Sequence, residues 1–188
     1  ATIVVAIIIH PLYGSVWESI RYSAFQVSSI TTTTGFSTAN FDVWPSAAKM
    51  ILFMLMFVGG CSGSTGGSIK VIRWVVVAKQ LTNETKRMLH PHGVFSIHLN
   101  GRAGQKDIVY NVAAFFFLYF LFVMVTALVA SINGANLITS LSASLALVGN
   151  IGPGFESVGP IQNYGFFSDG AKYWFSFAMI AGRLELYT

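Results

Sequence analysis

The chain has 188 residues, of which 54% are hydrophobic, 14% aromatic and only 10% charged; the formal net charge is +4 and the mean hydropathy +0.64. Soluble domains carry about 25% charged residues, so this composition describes a membrane protein and excludes an ordinary soluble one. Seven of the eleven Lys and Arg, with three of the four His, fall between Lys70 and Lys106. A basic block between apolar segments marks the cytoplasmic side of membrane spans; in so apolar a chain it does not read as a nucleic-acid surface.

Residues 1–9 (ATIVVAIII) are apolar but lack a preceding basic region, so they do not read as a signal peptide. As helix they would rise only ~14 Å against a hydrocarbon core of ~30 Å. At the other end, 171–188 form a marginal span with Arg183 and Glu185 near its close. Both ends read as cut inside helices, and the chain is expected to be a piece of a longer polypeptide. His10-Pro11-Leu12-Tyr13-Gly14 reads as a turn, and Ser15 with Glu18 fits a capping box opening a helix over 16–30. That helix carries Glu18, Arg21, Gln26, Ser28 and Ser29, and is too short and too polar to span. Thr31-Thr32-Thr33-Thr34-Gly35-Phe36 ends it, an external loop runs from Asn40 to Pro45, and Ser46 is placed to cap the apolar helix of 47–58.

Gly59-Gly60-Cys61-Ser62-Gly63-Ser64-Thr65-Gly66-Gly67-Ser68 cannot hold a regular helix well. Apolar helix resumes through Ile69–Leu81; an unbroken helix over 47–81 would be ~52 Å long, too long for one bilayer, so a broken helix is expected. Irregular backbone at membrane depth needs cover from protein or a water-filled cavity. Residues 82–107 are polar and read as a cytoplasmic connection. The run 108–131 is the clearest full span, and Asn133-Gly134 ends it. Residues 135–149 (ANLITSLSASLALVG) form a second short, Ser-rich helix; Asn150-Ile151-Gly152-Pro153-Gly154-Phe155 follows, then an external loop to Asp169-Gly170 and a last helix from about Ala171.

The order span, re-entrant helix, Gly turn, span therefore occurs twice. Gly35 aligns with Gly152 at an offset of 117; Gly59 then corresponds to Gly182 if the second copy has a loop six residues longer. The expected fold is an all-α membrane protein made of two transmembrane helix–re-entrant pore loop–transmembrane helix units, 1–81 and 108–188, joined by 82–107, with the last helix of the first unit broken by the Gly-rich intramembrane loop.

This layout is that of an ion-conducting pore loop. A cation entering a filter loses water, and backbone carbonyls can replace it. Gly permits backbone conformations in which successive carbonyls point inward, Thr hydroxyls add oxygen ligands, and each short helix aims its negative C-terminal end at the ion. The absence of Asp and Glu from 31–36 and 150–155 favours carbonyl selectivity over a carboxylate ring. Each stretch taken singly is also readable as a Thr-rich or Gly/Pro turn.

The Gly59–Ser68 segment admits several readings. A phosphate-binding P-loop needs Lys-Ser/Thr after its last Gly, which Ser68-Ile69 does not supply. Gly60-Cys61-Ser62-Gly63 has the G-x-S-G form that resembles rhomboid intramembrane serine proteases, but a nucleophile needs a base within reach, and His90, His92 and His98 all lie in the polar connection. A flexible constriction beneath a pore suits the small side chains, as does a Gly kink for close helix packing. Arg183, at the depth of Gly59, either faces the loop and the pore or snorkels to the interface; Lys70 has the same two options. The His of 90–98 lack regular metal-ligand spacing.

Phe25-Gln26-Val27-Ser28-Ser29-Ile30 with Thr32-Thr33-Thr34-Gly35-Phe36, the Gly59–Gly67 run, His90-Pro91, Gly149 to Gly154, and Gly182-Arg183-Leu184-Glu185 together resemble the Trk/Ktr/HKT superfamily of potassium transporters, most closely the bacterial TrkH type. The resemblance covers essentially the whole chain. It implies four span–pore–span repeats around one pore, of which this chain resembles the third and fourth, with the N-terminal half missing. It implies a potassium-binding filter lined by Thr33, Thr34, Gly35, Asn150, Ile151 and Gly152. It also implies a gating loop of Gly59, Gly60, Cys61, Ser62, Gly63, Ser64, Thr65, Gly66 and Gly67, with Arg183 and Lys70 nearby. The implied partner is a cytosolic nucleotide-binding regulatory subunit of the TrkA type, docked on Lys79 to Lys106. The expected setting is the bacterial inner membrane, with lipid around the chain and a homodimer as the assembly. Potassium is the substrate, and neither an enzymatic activity nor a cofactor is expected. A sodium or other monovalent cation pore is the alternative within the same architecture. Two filter segments cannot close a four-sided filter, so this chain alone is not expected to conduct.

Overall fold

The computed structural model describes residues 1–61, 63–64, 66–89, 98–99, 102–103 and 106–184. The expectations for Ser62, Thr65, His90, His92 and Glu185 fall outside the described residues. Seven α-helices are described: α1 (Thr2–Tyr13), α2 (Val16–Thr31), α3 (Ser46–Leu55), α4 (Val71–Leu89), α5 (Lys106–Ile132), α6 (Leu137–Val148) and α7 (Asp169–Arg183). A two-residue antiparallel ribbon pairs His98–Leu99 with Arg102–Ala103 between α4 and α5.

Helix lengths separate two classes. Among the described residues only Ile108–Ile132, within α5, is long and apolar enough to cross a membrane. At 1.5 Å per residue the 27 residues of α5 rise about 40 Å. The 12 residues of α6 reach only about 18 Å, less than the hydrocarbon core. The two short helices preceding the Gly turns turn polar groups inward. On α2, Ser19, Ser23, Gln26 and Ser29 are buried while Trp17 is 79% exposed. On α6, Thr139, Ser140, Ser142 and Ser144 are buried and Leu137 and Ile138 exposed. The buried serines donate to nearby backbone, as Ser19 to Ser15 O at 2.9 Å and Ser144 to Leu141 O at 2.8 Å, and Thr139 donates to the Glu156 carboxylate, so the helices carry these hydroxyls paired.

One core joins both units. Val5, Ile9, Ile30, Phe41, Trp44, Leu52, Met56 and Ile69 pack with Phe115, Leu145, Ile151 and Phe155. A second cluster of Ala130, Ala143, Leu147, Phe167 and Phe175 seals the second unit. α4 is joined to α5 by an edge-on Trp74–Phe116 pair at 5.1 Å and by the Arg73 guanidinium, 3.7 Å above the Phe115 ring.

Several boundaries differ from those the sequence suggests. The His10–Gly14 segment is not a turn: α1 continues through Pro11 to Tyr13, and Gly14, at φ 69°, closes it. Ser15 stands at the N-cap of α2 but makes no capping bond, so the capping box is not formed. Ser46 is the first residue of α3 rather than its cap, which is Pro45. α3 ends at Leu55, tightening as Phe57 N donates to Met54 O and Val58 N to Leu55 O. α4 runs on to Leu89 instead of stopping at Leu81. Residues 82–89 are polar but contain no Gly or Pro, Gln80 donates to Glu84 one turn later at 2.7 Å, and Lys86 and Arg87 complement the helix C-terminus. Polarity there marks a solvated helix, not a loop.

Candidate functional site: two Gly-centred walls above a stapled loop

Each short helix ends in the same backbone pattern. In the first unit, Thr32 N donates to Ser28 O (2.9 Å), Thr33 N to Ile30 O (3.1 Å), and both Thr34 N (2.9 Å) and Gly35 N (3.5 Å) to Ser29 O. In the second, Gly149 N donates to Leu145 O (2.8 Å), Asn150 N to Leu147 O (3.1 Å), and both Ile151 N (2.8 Å) and Gly152 N (3.5 Å) to Ala146 O. Every partner is displaced by the same 117 residues. The dihedrals repeat as well: φ is +54° at Thr33 and +80° at Gly35, +53° at Asn150 and +103° at Gly152, with Thr34 and Ile151 at negative φ between them. In extended backbone successive carbonyls alternate sides; inverting the hand at every second residue turns them toward one side. Among the described residues no donor reaches the carbonyl oxygens of Thr33, Thr34, Gly35, Asn150 or Ile151. Backbone carbonyls without a donor among the described residues, carried on two copies of one turn, are the kind of group that can replace water around a cation.

The two stretches touch. A Cβ on Gly35 would collide with the Ile151 carbonyl, and the Gly152 side of the contact leaves 3.9 Å to the Gly35 Cα. Thr32 Oγ1 and Thr34 Oγ1 are 2.8 Å apart, which orients the Thr34 hydroxyl.

Beneath them lies the Gly-rich loop. Its neck is stapled: Val58 and Ile69 form a parallel bridge, with Gly59 N donating to Ile69 O (2.9 Å), Ile69 N to Phe57 O (3.2 Å) and Val71 N to Gly60 O (3.2 Å). Ser68, at φ +59° and buried, donates its hydroxyl to Met56 O at 2.8 Å. The Tyr119 hydroxyl of α5 faces Ser68, without meeting the geometry of a hydrogen bond to any described residue. The far side of the loop meets the bases of both walls. A Cβ on Gly66 would stand 3.1 Å from Thr33 Oγ1, and one on Gly67 would collide with the Gly149 carbonyl. Glycine is required at Gly67 for this approach. Cys61 is exposed, Gly63 has open space around it, and Ser64 Oγ is buried with no hydrogen-bond partner among the described residues.

Arg183 ends α7 in an exposed position, and among the described residues no hydrogen bond or ion pair joins it to the loop. Its neighbour Gly182 sits against the second wall's base, where a Cβ would strike the Val148 carbonyl, and Asn150 Nδ2 donates to Met179 O at 2.9 Å. Lys70 is half-buried at the loop's exit. The structure thus brings the two walls, Gly66 to Ser68 and the end of α7 into one place, while Arg183 and Lys70 stand at its edge.

Residues to which the sequence gave no bracing role, Gln26 and Ser29 of the first motif among them, hold the walls from behind. Ser29 Oγ donates to Phe36 O at 2.5 Å, and Gln26, with its amide oriented to satisfy its neighbours, accepts from Thr38 N (3.0 Å) and Ala39 N (3.2 Å). In the second unit Ser142 Oγ accepts from Phe155 N at 3.0 Å, and Tyr164 donates to Gly152 O at 2.9 Å. Between the loops that follow the two walls, Asp42 Oδ1 accepts from Glu156 N at 3.1 Å. The signal available in the sequence was a polar residue recurring on one face of a helix too short to span. Among the described residues no cluster of His, Cys, Asp or Glu could hold a metal ion.

Known proteins resemble this chain in sequence and in fold. A family model described as "TrkH: Cation transport protein" matches residues 13–188. The chain is 38% identical over 173 residues to the Trk system potassium uptake protein TrkI of Halomonas elongata, covering 92% of this chain and 35% of the relative. It is 37% identical over 179 residues to the Trk system potassium uptake protein TrkH of Escherichia coli K12, covering 95% and 37%. The crystal structure of the potassium transporter TrkH from Vibrio parahaemolyticus superposes with a TM-score of 0.89 at 35% identity, covering 99% of this chain and 40% of that one. The chain spans a little over a third of the length of these relatives. None of them lends support to the protease alternative. An all-helical architecture of repeated helix–pore loop units, matched in a solved transporter and in a family model over nearly its whole length, makes this chain a membrane protein of the TrkH cation transport family.

Proposed function

We propose that this chain supplies two of the four walls of a potassium uptake pore, with Thr33, Thr34 and Gly35 on one wall and Asn150, Ile151 and Gly152 on the other. The observation that carries the reading is the paired hydrogen-bond and dihedral pattern, which leaves adjacent carbonyls at the ends of two short helices without a donor among the described residues. The relatives named as potassium uptake proteins support potassium as the substrate. Control of flow falls to the loop Gly59–Gly67, seated against both wall bases, with Arg183 and Lys70 beside it. The remaining two walls come from chain outside this segment. The pore lies in the bacterial inner membrane, with 82–107 facing the cytoplasm and offering Lys79 to Lys106 to a nucleotide-binding subunit of the TrkA type. The transporter is a homodimer.

The test is Gly35→Ala in the full transporter, expressed in a strain lacking other potassium uptake. Uptake of potassium and the potassium/sodium ratio are both expected to fall at least about tenfold, because the new methyl meets a carbonyl offered to the ion. Unchanged uptake with an unchanged ratio removes the filter assignment, and a ratio favouring sodium in the parent protein replaces potassium with sodium as the substrate.

A further inference from the structure

The two external loops contain the same short turn. Phe41–Val43 is opened by Asn40, whose Oδ1 accepts from Asp42 N at 3.1 Å; Tyr164–Phe166 is opened by Asn163, whose Oδ1 accepts from Gly165 N at 2.8 Å. Trp44 N closes the first on Phe41 O at 3.2 Å, and Phe167 N closes the second on Tyr164 O at 3.4 Å. The displacement here is 123 residues, the 117 of the walls plus the six extra residues of the second loop. Phe41 and Tyr164 are therefore counterparts, and they differ by one hydroxyl.

That hydroxyl donates to the Gly152 carbonyl at 2.9 Å. Among the described residues the first wall has no such bond; Ser29 and Gln26 of its own helix hold residues 36–39 instead. Their counterparts in the second helix are Ala143 and Ala146, which carry no polar group, and the counterpart of Phe36 is Pro153. From its own helix the second wall keeps the Ser142 hydroxyl, which accepts from Phe155 N, and Tyr164 adds a bond from the loop that follows. The ring is held by Phe167, stacked at 6.1 Å, and by Phe175, edge-on at 6.3 Å, so the phenol oxygen has little freedom. Burial pushes the Tyr164 phenol above its ordinary value, and it stays a donor throughout the physiological range.

We propose that Tyr164 is a positioning residue for ion specificity: by anchoring the Gly152 carbonyl it fixes the spacing of the Asn150 and Ile151 carbonyls presented to the ion. This rests on the filter reading above. A lost hydrogen bond of the ordinary kind corresponds to a change of about three- to tenfold.

The experiment measures KM and maximal uptake for potassium and sodium in the full transporter carrying Tyr164→Phe, with Tyr164→Leu and Gly35→Ala beside it. Tyr164→Phe keeps the ring and its packing. The expected result is a potassium/sodium ratio lowered about three- to tenfold, through a raised KM for potassium, with the amount of folded protein unchanged. Tyr164→Leu, which also loses the ring, lowers the ratio at least as far. Proportional loss of both ions' uptake in Tyr164→Phe means that the hydroxyl only supports folding, and overturns the proposal. An unchanged ratio in Tyr164→Phe together with a changed one in Gly35→Ala overturns it while leaving the filter standing. An unchanged ratio in both removes the filter reading and the proposal with it.

Discussion

The two walls share a backbone and differ in what holds it. Between 28–35 and 145–152 each hydrogen bond recurs with distances matching within about 0.1 Å, and the alternating hand of the backbone recurs with it. The side chains around them are not repeated. The first wall is braced by its own helix through Ser29 and Gln26; the second is braced from the outer loop through Tyr164 and from its helix only through Ser142. The helices that follow diverge further: α7 continues to Arg183, whereas α3 stops at Leu55 and gives way to the stapled loop. The duplicated unit thus keeps the backbone of the turn, the stretch proposed to meet the ion, and leaves the bracing and the exit helix free to change.

The sharpest way to break this comparison is to place a methyl on each central glycine. Both Gly35 and Gly152 lie at positive φ, so alanine is strained at either by about 1–3 kcal/mol. Only at Gly35 does the methyl also strike the Ile151 carbonyl; at Gly152 the nearest atom is 3.9 Å away. Gly35→Ala is therefore expected to reduce potassium uptake and selectivity much more than Gly152→Ala, when both are measured in the same strain at equal expression. Equal losses would mean that backbone strain alone, and not the contact between walls, governs the site.

The loop beneath the walls gives a second contrast. Gly67 approaches the Gly149 backbone so closely that a Cβ would overlap its carbonyl, while Gly63, in the same loop, has open space and an ordinary backbone. Gly67→Ala is expected to force the loop away from the wall bases and change flux severalfold, read as the potassium current or initial uptake rate in vesicles, with Gly63→Ala indistinguishable from the parent. A silent Gly67→Ala would detach the loop from control of the pore.

What the sequence made legible were features set by local chemistry. Helix length against bilayer thickness marked α2 and α6 as non-spanning, and glycines at matched positions disclosed the offset of 117 at Gly35 and Gly152. The break at Gly59–Gly60 followed from the poor helix propensity of Gly. The braces were not legible, because they are long-range. Gln26 meets Thr38 and Ala39 across the turn, and the kinship of Phe41 with Tyr164 appears only when the register shifts from 117 to 123 inside the external loop. The continuation of α4 beyond Leu81 was missed because a solvated helix end and a polar loop share one composition. The capping box at Ser15 and Glu18 failed because the side chain of Ser15 makes no capping bond, although its carbonyl accepts the Ser19 hydroxyl.

The smallest expected effect tests the join between the two units at the loops that follow the walls. Asp42 accepts the Glu156 N–H at 3.1 Å, across 114 residues of chain, and its own carbonyl accepts from Lys49 Nζ at 3.2 Å. Glu156 is itself held at φ +56°, with Thr139 Oγ1 donating to its carboxylate at 3.3 Å. Burial raises the Asp42 carboxyl above the ordinary aspartate value; the Glu156 N–H and Lys49 oppose the rise, and the Glu156 carboxylate adds to it. A raised folded value means that the fold favours the protonated acid. The stability it contributes is full below the ordinary aspartate value and is lost as pH climbs through the raised one. Asp42→Asn keeps an acceptor for the Glu156 N–H and removes the charge. Its thermal stability in detergent is expected to match or slightly exceed that of the parent at neutral pH, with a flatter dependence across the acid range. Asp42→Ala, which removes the acceptor, is expected to be less stable at every pH, since the Glu156 N–H loses its partner. If Asp42→Asn proved as damaging as Asp42→Ala, the charge and not the hydrogen bond would be what joins the two units.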